Sequence, residues 1–558
     1  MNSFASLSSL RSVANTEASN DAEQLLHKTY AHELIFNKDG QVSGGSLAAL
    51  VEQLTLHDNA PDPQFLSAFF VTFRMFTTPR KLAQALISRF EYIGESRAVG
   101  APVRLRIYNV FKGWLEIYWN AEADRDALGD IRFFAMHKLK PYLSSAGERL
   151  VDLTRKITAG YSEGTITGPL VSGVGKVTTS IGGQQAANGS TPEPIINKTL
   201  LNSLRDAAIR DTRLTVMDFD PLELARQLTL IASKVFNEIQ AEELLSLDWN
   251  KKNTEKARNV RYMCIMNTDV AHVVGDTILH PDDAKKRALV IKHWTKVAQR
   301  CLELHNYETL MAIMCSLNSS VVQRLRRTWE YVSKKTRARL DELSAVVDFS
   351  RNQASLRRRL ETPTAPCLPF LGIYLTDLTF ADAGNPKFRD LPGATSETGE
   401  PVSVINFDKH LRMAKIVAHV QKYQVPYRLH AIPELQAWLQ GHLRRMRESA
   451  AEMVGNFHRR SLLVEPRQQE DRFGAAPAAT MAGAARTIDQ RRHTEPPLPG
   501  EERPKTAGSV KSNVTSKTAD AAMGERFDFF SLRYKGMMGK GARVPTPLPE
   551  EEAAEVGK

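Results

Sequence analysis

The chain reads as an all-α protein built from two helical blocks, the first smaller than the second. Three observations predict this. Apolar residues recur at helical rather than alternating spacing, helix-start signals head each block, and an interval rich in Gly, Ser and Thr separates them. With 558 residues and a hydrophobic content of 42%, the chain is long enough for several domains with substantial cores.

The first block covers residues 34–153, after a Ser-rich start at 1–33 that reads as a flexible terminus. Ser46 is placed to cap a helix whose apolar positions are Leu47, Leu50, Val51 and Leu54. Phe65, Phe69, Phe70 and Phe73 then form one aromatic stripe, and Leu105, Tyr108, Phe111, Trp114 and Leu115 a second beyond Pro102. Stripes at this spacing are expected to be core.

Residues 154–210 read as a linker, since between Gly160 and Pro194 the chain becomes rich in Gly, Ser and Thr, poor in aromatics and without any period. Gly173-Val174-Gly175-Lys176 superficially resembles a phosphate-cradling loop. The spacing fails, because Leu170 stands where a glycine is needed and Val177 where a metal-binding hydroxyl is needed.

The second block, 211–443, opens on Asp220-Pro221-Leu222-Glu223: an N-cap, a proline at the first helical position and an acid in the first turn. Leu224, Leu228, Ile231 and Val235 continue the helical spacing, and Leu289–Leu304, Thr309–Leu317 and Phe407–Tyr423 repeat it. From 444 to 558 the composition shifts to a basic, Pro-rich tail, largely disordered by its lack of apolar periodicity. Pro496-Pro497-Leu498-Pro499 and Pro545-Thr546-Pro547-Leu548-Pro549 favour extended conformations there. Arg491-Arg492-His493-Thr494 resembles the substrate pattern of cyclic-AMP-dependent kinase, which makes Thr494 a candidate phosphorylation site.

Charge and motif content narrow the function. The net charge of +11 suits an acidic partner, an anionic membrane or nucleic acid, but the arginine runs 324–327 and 357–359 lack the interleaved aromatics of a strand-binding platform. Nucleic-acid binding is not expected. The four cysteines form no C-x-x-C pair and sit in apolar segments, as buried thiols in a reducing compartment do. No apolar run approaches the roughly 20 residues of a membrane span, and no secretory leader opens the chain, so a cytoplasmic location is expected. Zinc-helix, nucleophile-elbow and dinucleotide motifs are missing, and no metal or cofactor is assigned. A large helical domain without a nucleophile or base constellation points to a regulator that works by binding a partner's altered conformation, not to an enzyme of bond-making chemistry.

The most specific stretch is Pro366-Cys367-Leu368-Pro369-Phe370-Leu371-Gly372-Ile373-Tyr374-Leu375-Thr376-Asp377-Leu378. It closely resembles the start of the helical hairpin in Ras-type guanine-nucleotide exchange factors. Further blocks resemble that family in its order: Asp220–Leu230, Leu247-Asp248-Trp249, Asn267, Ser316-Leu317-Asn318-Ser319-Ser320 with Arg324-Leu325, Gly384-Asn385-Pro386, Ile405-Asn406-Phe407 and Gln421-Lys422-Tyr423-Gln424. Gly45-Ser46-Leu47 through Phe76, with Trp114 later, is similar to the helical module that accompanies the catalytic domain. The resemblance covers roughly Leu34–Leu153 and Asp211–Leu443, and is nearest to fungal Ras activators of the cyclic-AMP pathway.

The resemblance implies a protruding helical hairpin that enters beside the nucleotide site of a Ras-family small GTPase, Ras favoured over Rap or Ral, and releases GDP so that GTP can load. Nucleotide held near picomolar affinity represents about 16 kcal/mol, which binding to the nucleotide-free GTPase must offset. It assigns the contact positions to Asn318, Thr379, Phe380, Asp382 and Asn385, and makes Phe370, Leu371, Ile373, Tyr374 and Leu375 the support of the hairpin. The alternative for Asn318 is a helix-capping amide, with the contact role favoured over it. Thr379 and Ala383 stand where some members carry a larger apolar residue and an acid, so displacement by bulk is expected at this tip, with Asp382 as the substitute acid. A scaffold that keeps the fold but exchanges weakly is the alternative. Action at membrane surfaces through a partner, where the GTPase is anchored, is also implied.

Overall fold

The helix-start signals hold at atomic detail in the computed structural model, which describes residues 30–57, 59–92, 97–163, 191–207, 214–251, 255–361, 366–395, 399–448 and 450–466. Ser46 accepts a hydrogen bond from the Ala49 amide at the head of helix Leu47–Leu54. Asp62 caps helix Pro63–Thr72 through the Phe65 amide, and Asp220 caps helix Pro221–Asn237 through the Leu222 amide, each with a proline in the first turn. Thr494, the two proline runs and Gly173–Lys176 lie outside the described residues.

Two hydrophobic cores result. The N-terminal one gathers Phe65, Phe69, Phe70, Phe73, Phe111, Trp114 and Leu115, with the Phe73 and Trp114 rings edge to face at 5.2 Å. Leu105 is an exception to its stripe. It is two residues from both Val103 and Ile107, about 200° around helix Arg97–Ile117 from the core face, and is 48% exposed. Beneath the aromatics the fully buried Asp124 carboxylate accepts from Arg74 Nε and Trp114 Nε1, both at 2.8 Å. The larger core is built by helices Pro221–Asn237, Arg258–Leu279, Ala284–Glu303 and Tyr307–Leu317.

The two cores share a wall. Helix Phe407–Lys422 turns Phe407 and Ala414 into the N-terminal core and Met413, Val417 and Val420 into the larger one. A four-stranded antiparallel sheet reinforces the seam, with β1 (Leu34–Phe36), β2 (Val42–Gly45), β3 (Phe388–Thr395) and β4 (Pro401–Ile405) in the order β1-β2-β4-β3. The junction of β2 and β4 needs glycine at position 44, where a Cβ would lie 3.0 Å from the Ile405 carbonyl and closer still to the Arg389 guanidinium. Arg389 in turn donates to Ser43 Oγ.

Helical structure crosses both boundaries read from composition. Helix Ser144–Glu163 continues past residue 153, and helix Lys198–Ala207 packs on helix Pro433–Glu448 with Leu204 buried in the larger core. The Gly/Ser/Thr bias that marked the linker does not extend to Leu200, Leu201 and Leu204, which have helical spacing. Helix Pro433–Glu448 likewise spans residue 443, and helix Ala450–Val464 follows it. The buried Glu465 closes that end, accepting from Arg287 Nη2 and the Thr328 amide at 2.9 Å each. Among the described residues no helix is long and apolar enough to cross a membrane.

Candidate functional site

The hairpin consists of helix Leu371–Ala383 and helix Phe407–Lys422, packed on one another and joined through β3 and β4. Its base is apolar for a structural reason. Phe370, Leu371, Ile373, Tyr374 and Leu375 are all buried, Leu375 completely, and Leu378 extends the buried face one turn further. The Phe370 ring lies under Gly372 so closely that a Cβ there would meet it at 2.5 Å. Burial pushes the Tyr374 hydroxyl well above the usual phenol range.

Beyond Leu378 the helix emerges. Thr379 is half-buried and its hydroxyl donates to the Leu375 carbonyl at 2.8 Å, which occupies it within the helix. Phe380 is 55% exposed, a large apolar ring at the end of a buried helix. The helix closes at Gly384, whose amide donates to the Phe380 carbonyl, and Asn385 Nδ2 donates back to the Ala381 carbonyl at 2.8 Å.

Asp382 does not stand free. The Lys409 ammonium lies 2.7 Å from Asp382 Oδ1 and donates to the Asp382 and Asn385 carbonyls at 3.0 Å each. Lys409 itself is 2% exposed. A cation against the last carbonyls of a helix complements its dipole, so Lys409 serves as the C-terminal cap of the hairpin helix. Behind it the His410 imidazole is pushed down to about 4 by burial and by the charges of Lys409 and Lys387, and packs uncharged against Phe76 with ring centres 4.7 Å apart.

The opposite end of the same helix is held by a carboxylate. Phe370 offers no side-chain cap, and the Leu371 amide donates to Glu308 Oε2 at 2.8 Å. Asn267 Nδ2 donates to Glu308 Oε1 at 2.7 Å, which gives Asn267, one of the family-like positions, its place in the fold. Glu308 lies in the first turn of helix Tyr307–Leu317, and that helix ends at Asn318. Asn318 is exposed, and its Nδ2 donates to Ser344 Oγ at 3.3 Å from helix Lys334–Val346. A further strut joins this side to the hairpin: Arg357 makes a two-pronged ion pair with Asp377, both contacts 2.7 Å.

Sequence reading missed Glu308, Lys409 and Arg357. Two of them left a local signal. Glu308 is an acid between Tyr307 and an apolar run, and Lys409 is a cation in the first turn of its own helix, where the dipole disfavours it. Among the described residues no group of His, Cys, Asp and Glu is placed to hold a metal ion.

A helical domain with a hairpin of this kind, braced by an N-terminal helical module, defines the Ras guanine-nucleotide exchange factor family, and the chain belongs to it. Residues 223–411 match the RasGEF domain and residues 41–134 the RasGEF N-terminal motif. Among similar proteins, Ras guanine nucleotide exchange factor A of Dictyostelium discoideum is 32% identical over 72% of this chain and 62% of its own length. Cell division control protein 25 of Saccharomyces cerevisiae is 27% identical over 85% of this chain and 29% of its own. Its namesake from Candida albicans is 27% identical over 82% of this chain and 32% of its own. The chain thus spans about three-fifths of the first relative and under a third of the other two.

Proposed function

We propose that the chain is a guanine-nucleotide exchange factor that promotes GDP release from a Ras-family small GTPase, with Ras preferred over Rap and Ral, by inserting the hairpin tip beside the nucleotide site. The observation that carries this reading is the polarity of one helix. Leu371–Leu375 is buried and fixed at the base, whereas the same helix ends in the exposed ring of Phe380. A rigid base with an apolar tip suits a wedge that must keep its shape against a folded partner.

The chemistry of the tip favours displacement by bulk. The Asp382 carboxylate is neutralised by Lys409 at 2.7 Å, and Thr379 spends its hydroxyl on the Leu375 carbonyl. Phe380 is therefore assigned the displacing contact, Asn385 the shaping of the tip and Asn318 a polar contact on the GTPase face. Each interaction must be stronger with the nucleotide-free GTPase than with the loaded one, since a factor binding both equally would shift nothing. By reciprocity, incoming nucleotide expels the exchange factor.

The direct test is release of fluorescent GDP from purified Ras, Rap and Ral with and without the full chain. Acceleration on Ras, lost in Phe380→Ala and reduced in Asn318→Ala, is the expected result. Stable capture of nucleotide-free GTPase without acceleration would replace it with the scaffold reading, which the paired Asp382 and the small Thr379 and Ala383 favour. Membrane recruitment through a partner and phosphorylation at Thr494 remain proposals of the sequence, each testable by vesicle co-sedimentation and by kinase treatment of the full chain.

A further inference from the structure

We propose that Glu308 is a positioning residue that sets the hairpin against Asn318, by capping the N-terminus of the hairpin helix from the neighbouring helix. This rests on the exchange reading for its functional consequence, and on geometry alone for the positioning.

Helix Tyr307–Leu317 is stitched to the start of the hairpin at one end and carries Asn318 at the other. The Tyr307 amide donates to the Leu368 carbonyl at 2.9 Å and the Leu368 amide to the His305 carbonyl at 3.0 Å, a parallel bridge immediately before the hairpin helix. Glu308 adds the side-chain link, with its Oε2 on the Leu371 amide. A helix of 11 residues is about 16 Å long and stiff, so this rod links the two candidate contact elements directly.

The link depends on charge. Both partners of the Glu308 carboxyl, the Leu371 amide and Asn267 Nδ2, are donors. An ionised carboxylate accepts from both and complements the helix dipole. A protonated carboxyl sets an O–H against one of these N–H groups and breaks the fit. The surroundings give the charge no other support. The space beside Glu308 is lined by Leu228 and Ile231 of the opening helix, by Met266 and Val270 of helix Arg258–Leu279, and by Leu443 of helix Pro433–Glu448. Apart from Glu308 itself, no charged side chain lines it among the described residues. On its own helix the Cys315 thiol interacts with it and is pushed up to about 12 by burial, so it stays uncharged. Burial accordingly pushes the Glu308 carboxyl up to about 7, where small changes of pH alter its charge.

The experiment compares the full wild-type chain with Glu308→Gln, an uncharged group of the same shape. Two quantities are read between about pH 6 and about pH 8: GDP release above the spontaneous rate of the GTPase, and hydrogen exchange of the Leu371 amide corrected for its intrinsic rate. The wild type is expected to gain several-fold in stimulated release and in Leu371 protection against local opening of the hairpin, in which Glu308 stays buried, as pH rises, although the same buried charge lowers the stability of the whole fold; the Gln variant stays low and flat in both. Parallel pH profiles, with unchanged Leu371 protection in the variant, would overturn the proposal. If the variant does not fold, the pH dependence of Leu371 protection in the wild type decides alone: constant protection overturns it. If the wild type accelerates release from no GTPase, the exchange reading fails, and Leu371 protection still decides whether Glu308 holds the hairpin.

Discussion

The two ends of helix Leu371–Ala383 are held by the same physics in opposite surroundings. At the base, Glu308 meets the first amide of the helix in an apolar interior; at the tip, Lys409 meets the last carbonyls and shares its charge with the partly exposed Asp382. Each charge has the sign that the helix dipole favours, and each comes from another helix, the one at the base where Phe370 supplies no side-chain cap. The base charge lacks a counter-ion and is costly to bury, whereas the tip charge is balanced. The contrast explains how one helix can be immobile at its root and still present Phe380 to a partner.

Substitutions at the two ends should separate stability from activity. Leu375→Ala, at a fully buried position, is expected to cost about 2–5 kcal/mol in thermal or denaturant unfolding, whereas Phe380→Ala, at a ring 55% exposed, should cost under about 0.5 kcal/mol while removing most exchange. Equal stability losses at the two sites would erase the distinction between root and tip.

Next in size is the pH dependence of the base. Burial raises the Glu308 carboxyl from 4.5 to about 7, so its contribution to stability is fully present below about 4.5 and is lost as pH rises through 7. Glu308→Gln carries no such titration. Its stability relative to wild type should therefore climb with pH across that window, by an amount on the order of 3 kcal/mol at most. Urea unfolding of both proteins at several pH values reads this slope, and a difference independent of pH would mean that Glu308 does not titrate there.

Lys409→Met tests the tip. It strands the Asp382 and Asn385 carbonyls and frees the Asp382 carboxylate, and should lower stability by about 1–3 kcal/mol in urea unfolding. The smallest effect is expected for Arg357→Ala. Its ion pair with Asp377 has side chains 30% and 25% exposed, so the loss should be roughly 0.5–1 kcal/mol and shrink in high salt. A larger, salt-insensitive loss would make this strut part of the root.

What the sequence made legible follows the range of the interactions. Caps at Ser46 and Asp220, the phenylalanine stripe and the buried run Phe370–Leu375 depend on residues within a turn or two of each other, and local pattern reveals them. The joining of two local strand pairs, β1–β2 and β3–β4, into one sheet escaped because β2 and β4 meet across about 360 residues of sequence through a single pair, Gly45 and Ile405. Glu308 and Lys409 escaped as functional groups for the same reason. Each caps a helix other than its own, and a single sequence carries the charge but not the partner. Leu105 shows the limit of periodicity itself, since the stripe assigned it to the core face while the helix turns it outward.

The most direct test of a rooted helix with an active tip is GDP release from Ras by the full wild-type chain and its Phe380→Ala variant, with unfolding of both measured in the same buffer. Strong acceleration by the wild type, largely lost in a variant of unchanged stability, is the predicted result. A variant as fast as the wild type, or a wild type that captures nucleotide-free Ras without accelerating release, would contradict it.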